Sequence, residues 1–129
     1  MEHKYLLDAS ALLALIHNEP GAEQVLAIID DCEIHAVNLA EVMRKLVSVG
    51  KTVEEVIAYT EALNLEVIEN LSVPQVRKLA ELTPQAKRLG LSLGDCVCLT
   101  IAAWMGMTAV TADRCWSEGA FNVLVLQIR

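Results

Sequence analysis

The chain has 129 residues, a net charge of −7 and 54% hydrophobic residues of which few are aromatic. That length suits one compact domain with a core of Leu, Val, Ile and Ala, and leaves little room for a second. An acidic balance argues against a protein that coats nucleic acid through a broad basic surface. Cys32, Cys96, Cys98 and Cys115 lack a zinc-ligand rhythm and read as free buried thiols of a reducing cytoplasm.

In chain order the pattern alternates in the manner of an α/β sandwich. Lys4 to Leu7 reads as a short buried strand and Ser10 to His17 as a helix. Asn18-Glu-Pro-Gly21 is turn chemistry. A helix from Ala22 to Asp30 is expected to bury Val25, Leu26 and Ile29. A strand over Glu33 to Val37 follows. Asn38 then caps an amphipathic helix to Val49, with Leu39, Val42, Met43, Leu46 and Val47 inward and Gly50 as its stop. Thr52 opens another helix with Glu55 in capping-box position. Glu66 to Glu69 is a candidate third strand, and Val73 to Leu89 reads as one helix despite Pro84. The uncharged run from Cys96 to Ala112 is short for a membrane span. A helix to about Met105, a turn at Gly106 and a strand Thr108 to Thr111 account for it better, so a soluble, cytoplasmic protein is expected. Val123 to Ile128 closes the chain as a strand.

Four carboxylates, Asp8, Glu41, Asp95 and Asp113, fall where strand-like runs meet helix-like runs. Parallel α/β folds gather such seams at one end of the sheet, where their ligands bind. Each acid has a structural explanation of its own. Asp8 and Asp113 can cap helix starts, Glu41 and Asp95 stand three residues after Asn38 and Ser92 as capping acids do, and Glu41 also suits a solvated helix face. Together they read differently. Four acids at one edge need a neutralising cation, and oxygen-only ligands favour Mg²⁺ or Mn²⁺. Ser10, Asn38 and Thr111 beside them suit support of such a site. A carboxylate-held cation overcomes the two obstacles to phosphodiester hydrolysis, the charge on the ester oxygens and the poor nucleophilicity of water. His3, His17 and His35 show no ligand spacing, no glycine-rich phosphate loop occurs, and the cysteines lack a histidine partner.

The segments Leu7-Asp8-Ala-Ser10-Ala-Leu-Leu-Ala14, Ala36-Val-Asn38-Leu-Ala-Glu41-Val42, Leu91-Ser92-Leu-Gly-Asp95 and Val110-Thr111-Ala-Asp113-Arg114, in this order, resemble the PIN-domain nucleases. Within that family the resemblance is to the VapC-type toxins of prokaryotic toxin–antitoxin pairs, and it covers nearly the whole chain. It implies a three-layer α/β/α sandwich around a parallel five-stranded sheet, occupying residues 1–129 as one domain. It further implies an acidic quartet at Asp8, Glu41, Asp95 and Asp113, with Ser10 and Thr111 lining the same pocket. Mg²⁺- or Mn²⁺-dependent endoribonuclease activity, a homodimer and inhibition by a VapB-type antitoxin come with it. RNA contacts on so acidic a chain must be local, and Arg44 and Arg114 are the candidates, with Lys45, Lys87 and Arg88 nearby; Trp116 is read as core packing before base stacking. Two other classes remain: a catalytically inactive PIN-like interaction module, marked by loss of a ligand acid, and a phosphate-accepting receiver-like domain. The second expects paired acids after the first strand and a lysine at the end of the last, where this chain has Asp8 alone, and Gln127 and Arg129.

Overall fold

The computed structural model describes residues 3–129. Its five strands are β1 (Tyr5–Leu7), β2 (Cys32–His35), β3 (Glu66–Ile68), β4 (Thr108–Thr111) and β5 (Val125–Gln127). All pair in parallel in the order β3-β2-β1-β4-β5. Seven α-helices are found among the described residues: α1 (Ala9–Ile16), α2 (Ala22–Ile28), α3 (Ala36–Ser48), α4 (Val53–Ala62), α5 (Val73–Glu81), α6 (Thr83–Leu89) and α7 (Leu93–Met105). The parallel five-stranded α/β architecture anticipated from the sequence is therefore the observed one.

Alternation along the strands separates two cores. Leu7, Ile34 and Val110 face one side with α1 to α4, while Leu6 and Ala109 face the other with α7, Leu79 of α5, and Leu82 and Leu91 on either side of α6. Side chains of successive strand residues point to opposite faces, so three- and four-residue strands suffice to serve both layers. Strand register sets the site. Leu7 pairs with Ile34 and Val110, so the residues that follow, Asp8, His35 and Thr111, stand level at the carboxyl edge.

Several boundaries differ from the sequence reading. β2 ends at His35, and α3 begins at Ala36 rather than at Asn38. The cap is His35, whose Nδ1 accepts from Val37 N at 3.1 Å; an imidazole in that role is invisible to a search for Ser, Thr, Asp and Asn. α2 is followed by a short 3₁₀ turn at Ile29–Asp31, and Leu26 is 56% exposed, not inward. Val47 is also exposed. The stretch from Val73 to Leu89 is two helices broken at Leu82, with Pro84 in the opening turn of the second, where its missing N–H costs nothing. Gly106 ends α7 with φ 68°, a left-handed value that glycine adopts without strain. The helix so delivered runs back along the sheet into β4, which returns its first turn to the carboxyl edge. Trp116 is 1% exposed, so it packs in the core and is closed to stacking. Among the described residues no helix is long and apolar enough to cross a membrane. Cys32, Cys96 and Cys98 are buried and unpaired, whereas Cys115 is only half-buried.

Candidate functional site

At the carboxyl edge Asp8, Glu41, Asp95 and Asp113 line one open cleft of about 490 Å³, together with Ser10, Arg44 and Lys45. Each acid arrives by a different local rule. Asp8 follows β1 and caps α1, its Oδ1 accepting from Ala11 N at 2.8 Å. Ser10 Oγ donates to Asp8 Oδ1 and Oδ2 at 2.7 and 2.9 Å, and Thr111 Oγ1 donates to Oδ2 at 2.6 Å. Those hydroxyls are themselves fixed, since Ser10 Oγ accepts from Ala112 N at 2.9 Å and Thr111 Oγ1 from Asp113 N at 3.0 Å. A network in which every hydroxyl both donates and accepts admits a single orientation for the carboxylate.

Asp95 closes a capping box on α7: its Oδ2 accepts from Ser92 N at 2.9 Å, and Ser92 Oγ accepts from Asp95 N at 3.1 Å. Asp113 caps the 3₁₀ turn Arg114–Glu118 through Oδ1, which accepts from Cys115 N at 2.9 Å. Three of the four acids thus do hold helix starts, as their single-residue readings say, and the same geometry puts all of them at one cleft. Glu41 is the exception. It stands one turn into α3, on the face opposite the apolar stripe, and that face forms the cleft wall.

Among the described residues no salt bridge neutralises these acids, although the Lys45 charge favours the ionised form of Glu41. Among the described residues the ion pairs are Lys78–Glu81 and Arg129–Glu19, both elsewhere. Burial, with Asp95 nearby, raises the Asp8 carboxyl to about 6 against the hydrogen bonds that favour its ionised form. Burial first and a neighbouring carboxylate second also raise Glu41, beside Asp95, and Asp95, beside Asp113. The Cys98 thiol, buried in the core with Sγ donating to Leu6 O at 3.8 Å, is held well above its ordinary value by burial and by the charges of Asp8, Asp95 and Glu41, and so stays neutral.

An oxygen-only, anionic and unneutralised donor set fits a hard divalent cation. Among the described residues no three acids, histidines or cysteines converge tightly enough to hold an ion as they stand. Asp8, Asp95 and Asp113 each commit an oxygen to a backbone N–H. Asp95 and Asp113 each keep a second oxygen outside these bonds, and donor chemistry favours the fit; both oxygens of Asp8 already accept bonds from the chain.

Thr111 and Asn38 are buried behind the carboxylates rather than lining the cleft. Arg44 and Lys45 reach the cleft, but Arg114 is exposed and outside its lining, because the 3₁₀ turn carries it away from Asp113. Sequence reasoning missed Ser48 in the lining. The signal was available: positions 41, 44, 45 and 48 form one polar stripe at helical spacing. It also passed over Gly94, which no turn or positive φ accounts for.

A parallel α/β sheet with a carboxylate cleft at its carboxyl edge defines the structural class, and comparison places it. The model of the PIN domain family matches residues 5–122, and the chain belongs to that family. No curated protein sequence matches it. Among solved structures it is similar to DNA-bound VapBC from Salmonella typhimurium, with 18% identity, TM-score 0.68 and coverage of 99% of this chain and 100% of that one. VapBC2 from Rickettsia felis, bound to a DNA fragment from its promoter, aligns at 19% identity and TM-score 0.70 over 97% and 98% of the two chains. PAE2754 from Pyrobaculum aerophilum aligns at 22% identity and TM-score 0.57 over 97% and 92%. Such identities speak for the fold.

Proposed function

We propose that this protein is a divalent-metal-dependent endoribonuclease acting as the toxin of a VapBC-type pair. The observation that carries the reading is the convergence of four unneutralised carboxylates, from four separate segments, on one cleft of a PIN fold. Asp8, Glu41, Asp95 and Asp113 would hold Mg²⁺ or Mn²⁺. A bound cation supplies charge neutralisation of the acids, polarisation of the phosphodiester and a water competent to attack at neutral pH.

The chain's own residues do the rest. Ser10 and Thr111 hold the Asp8 carboxylate in one orientation through donated hydrogen bonds. Arg44 and Lys45, on the cleft wall, offer the local positive charge that a phosphate chain requires on an acidic molecule. Asp8, titrating near 6, must lose its proton before serving as a ligand. Retention of all four acids favours this reading over an inactive PIN-like module.

The partner reading, a VapB-type antitoxin, has a surface to match. An apolar groove of about 350 Å³ between α1, α3 and α4, lined by Ile16, Leu46, Val49, Val56 and Tyr59, opens on the far side of α3 from the acids. A tail laid along it could continue to the cleft and place an Arg among the carboxylates, a pairing favoured by bidentate geometry. A homodimer belongs to the same proposal, and sedimentation tests it.

Purified protein with Mg²⁺ or Mn²⁺ should cut structured RNA internally, and EDTA should stop it. Asp8→Ala and Asp95→Ala should abolish cutting while circular dichroism stays that of a folded protein. Water as nucleophile predicts 5′-phosphate and 3′-hydroxyl ends. Recovery of 2′,3′-cyclic phosphates would show attack by the ribose hydroxyl and sink the mechanism.

A further inference from the structure

Glu41 differs from the other three acids in having no backbone N–H among its partners. Its long contact is with Asn38 Nδ2, 3.5 Å from Oε1. The same Nδ2 donates to Gly94 O on α7 at 3.0 Å, which ties α3 to the first turn of α7 directly beneath the carboxylate. Asn38 is 1% exposed and its Oδ1 has no partner, an arrangement that costs stability and so calls for a compensating role. Gly94 supplies the other half. It lies inside the helix, is buried, and has no positive φ to explain it. A Cβ added there would overlap Oε1 of Glu41, standing 2.5 Å from Cδ and 3.0 Å from Oε2. The carboxylate thus occupies the volume that any other residue at position 94 would fill, and that volume adjoins Asp95.

We infer that Gly94 is a positioning residue for Glu41. By lacking a side chain it leaves the seat from which Glu41 joins Asp95 at the cleft, and Asn38 holds that seat closed. The inference rests on the metal-site reading and adds a requirement to it. Alanine at position 94 must drive the Glu41 carboxylate elsewhere, because the obstructing atoms are the flexible end of a side chain and move before the backbone does. The helix itself tolerates alanine better than glycine. Gly94→Ala should therefore harm the site while leaving the fold no weaker.

The test is Mn²⁺ binding by electron paramagnetic resonance, with ion carried to millimolar concentration so that weakened variants stay on scale. Gly94→Ala, Glu41→Ala and the double variant are compared with wild type, alongside melting temperatures in EDTA. Gly94→Ala should raise the Mn²⁺ Kd about tenfold, the lower end of what loss of a supporting contact costs a metal site, and should melt no lower than wild type. With Glu41 already truncated, Gly94→Ala should add nothing, since the coupling runs through that side chain. Unchanged or tighter binding by Gly94→Ala overturns the inference and leaves the metal site standing. Equal weakening in both backgrounds also overturns it, because Gly94 then acts by another route. Absence of Mn²⁺ binding by wild type overturns the inference and the metal-site reading together.

Discussion

Asp8 shows most directly how one residue can serve structure and site together. It is 2% exposed, caps α1, and accepts three further hydrogen bonds from hydroxyls. Burial nevertheless raises its folded pKa to about 6 from 3.8. A raised acid pKa means that the folded state binds the proton more tightly than the unfolded chain. The associated stability is complete below pH 3.8 and is lost as pH rises through about 6. The shift corresponds to ~3 kcal/mol at about 1.4 kcal/mol per unit. In EDTA, wild type should therefore lose stability between pH 4 and pH 6.5, and Asp8→Asn should lose much less over that range. Chemical denaturation at several pH values measures it, and parallel profiles for the two proteins would remove Asp8 as the cause. Metal competes with the same proton, so Mn²⁺ affinity should fall as pH drops below 6.

At the scale of elements, capping boxes start α4, α5 and α7, built on Thr52 with Glu55, Ser72 with Gln75, and Ser92 with Asp95. The first two stand away from the acidic cleft. The third uses the shorter Asp, close to Asp113 and Glu41, and the price of that placement is like-charge repulsion. Asp95→Asn keeps an oxygen that can accept from Ser92 N and removes the charge. In EDTA at pH 7 it should melt higher than wild type, by the equivalent of ~1 kcal/mol, and it should gain less from added Mg²⁺, which stabilises the fold by binding it. Loss of the favourable helix-dipole term, at most about 1 kcal/mol at an exposed site, works against the gain. A variant that melts lower and responds to Mg²⁺ as wild type does would leave Asp95 as a cap alone.

For the whole molecule the question is how a chain of net charge −7 would accommodate both the RNA and the protein partner proposed for it. Four of its seventeen acids face one cleft, so the charge is concentrated where the proposed cation would bind, with Arg44 and Lys45 at the same opening. α3 divides this cleft from the apolar groove, its polar stripe forming one wall and Leu46 and Val49 part of the other. Binding of a partner and cutting of RNA should therefore be separable by mutation. Val49→Glu, at a residue 71% exposed on the groove, should weaken a co-purified antitoxin by about tenfold or more, the equivalent of ~1.4 kcal/mol, and leave cleavage by the free protein unchanged. Calorimetry with the antitoxin tail and an RNA cleavage assay read the two effects. Undiminished affinity would move the partner off this groove.

The strand and helix alternation and the four acids at its seams were legible in the sequence, because each depends on a short local signal: an apolar triplet, a helical stripe, a Ser or Asp at a helix start; the parallel five-stranded sheet came with the family resemblance. Local rules also identified the capping box at Thr52 and the turn at Gly106. They failed where a partner distant in sequence decides the outcome. His35 replaces Asn38 as the cap of α3 because its imidazole also meets Asn70 O, 2.9 Å away, and Asn38 is thereby released to bind Gly94. Trp116 is buried and Arg114 turned out by the 3₁₀ segment after Asp113, whose direction is set by packing on β5 and α6. Glu41 reads as solvated from its own helix and becomes a cleft wall only because α7 crosses beside it. The sequence by itself determined which donor groups the chain carries, since carboxylates at and just after the strand-to-helix seams are a property of order along the chain. Which oxygens remain free, which cation-bearing side chains reach them and what seats Glu41 were decided only by tertiary structure, since each requires contact between residues some 50 to 100 positions apart.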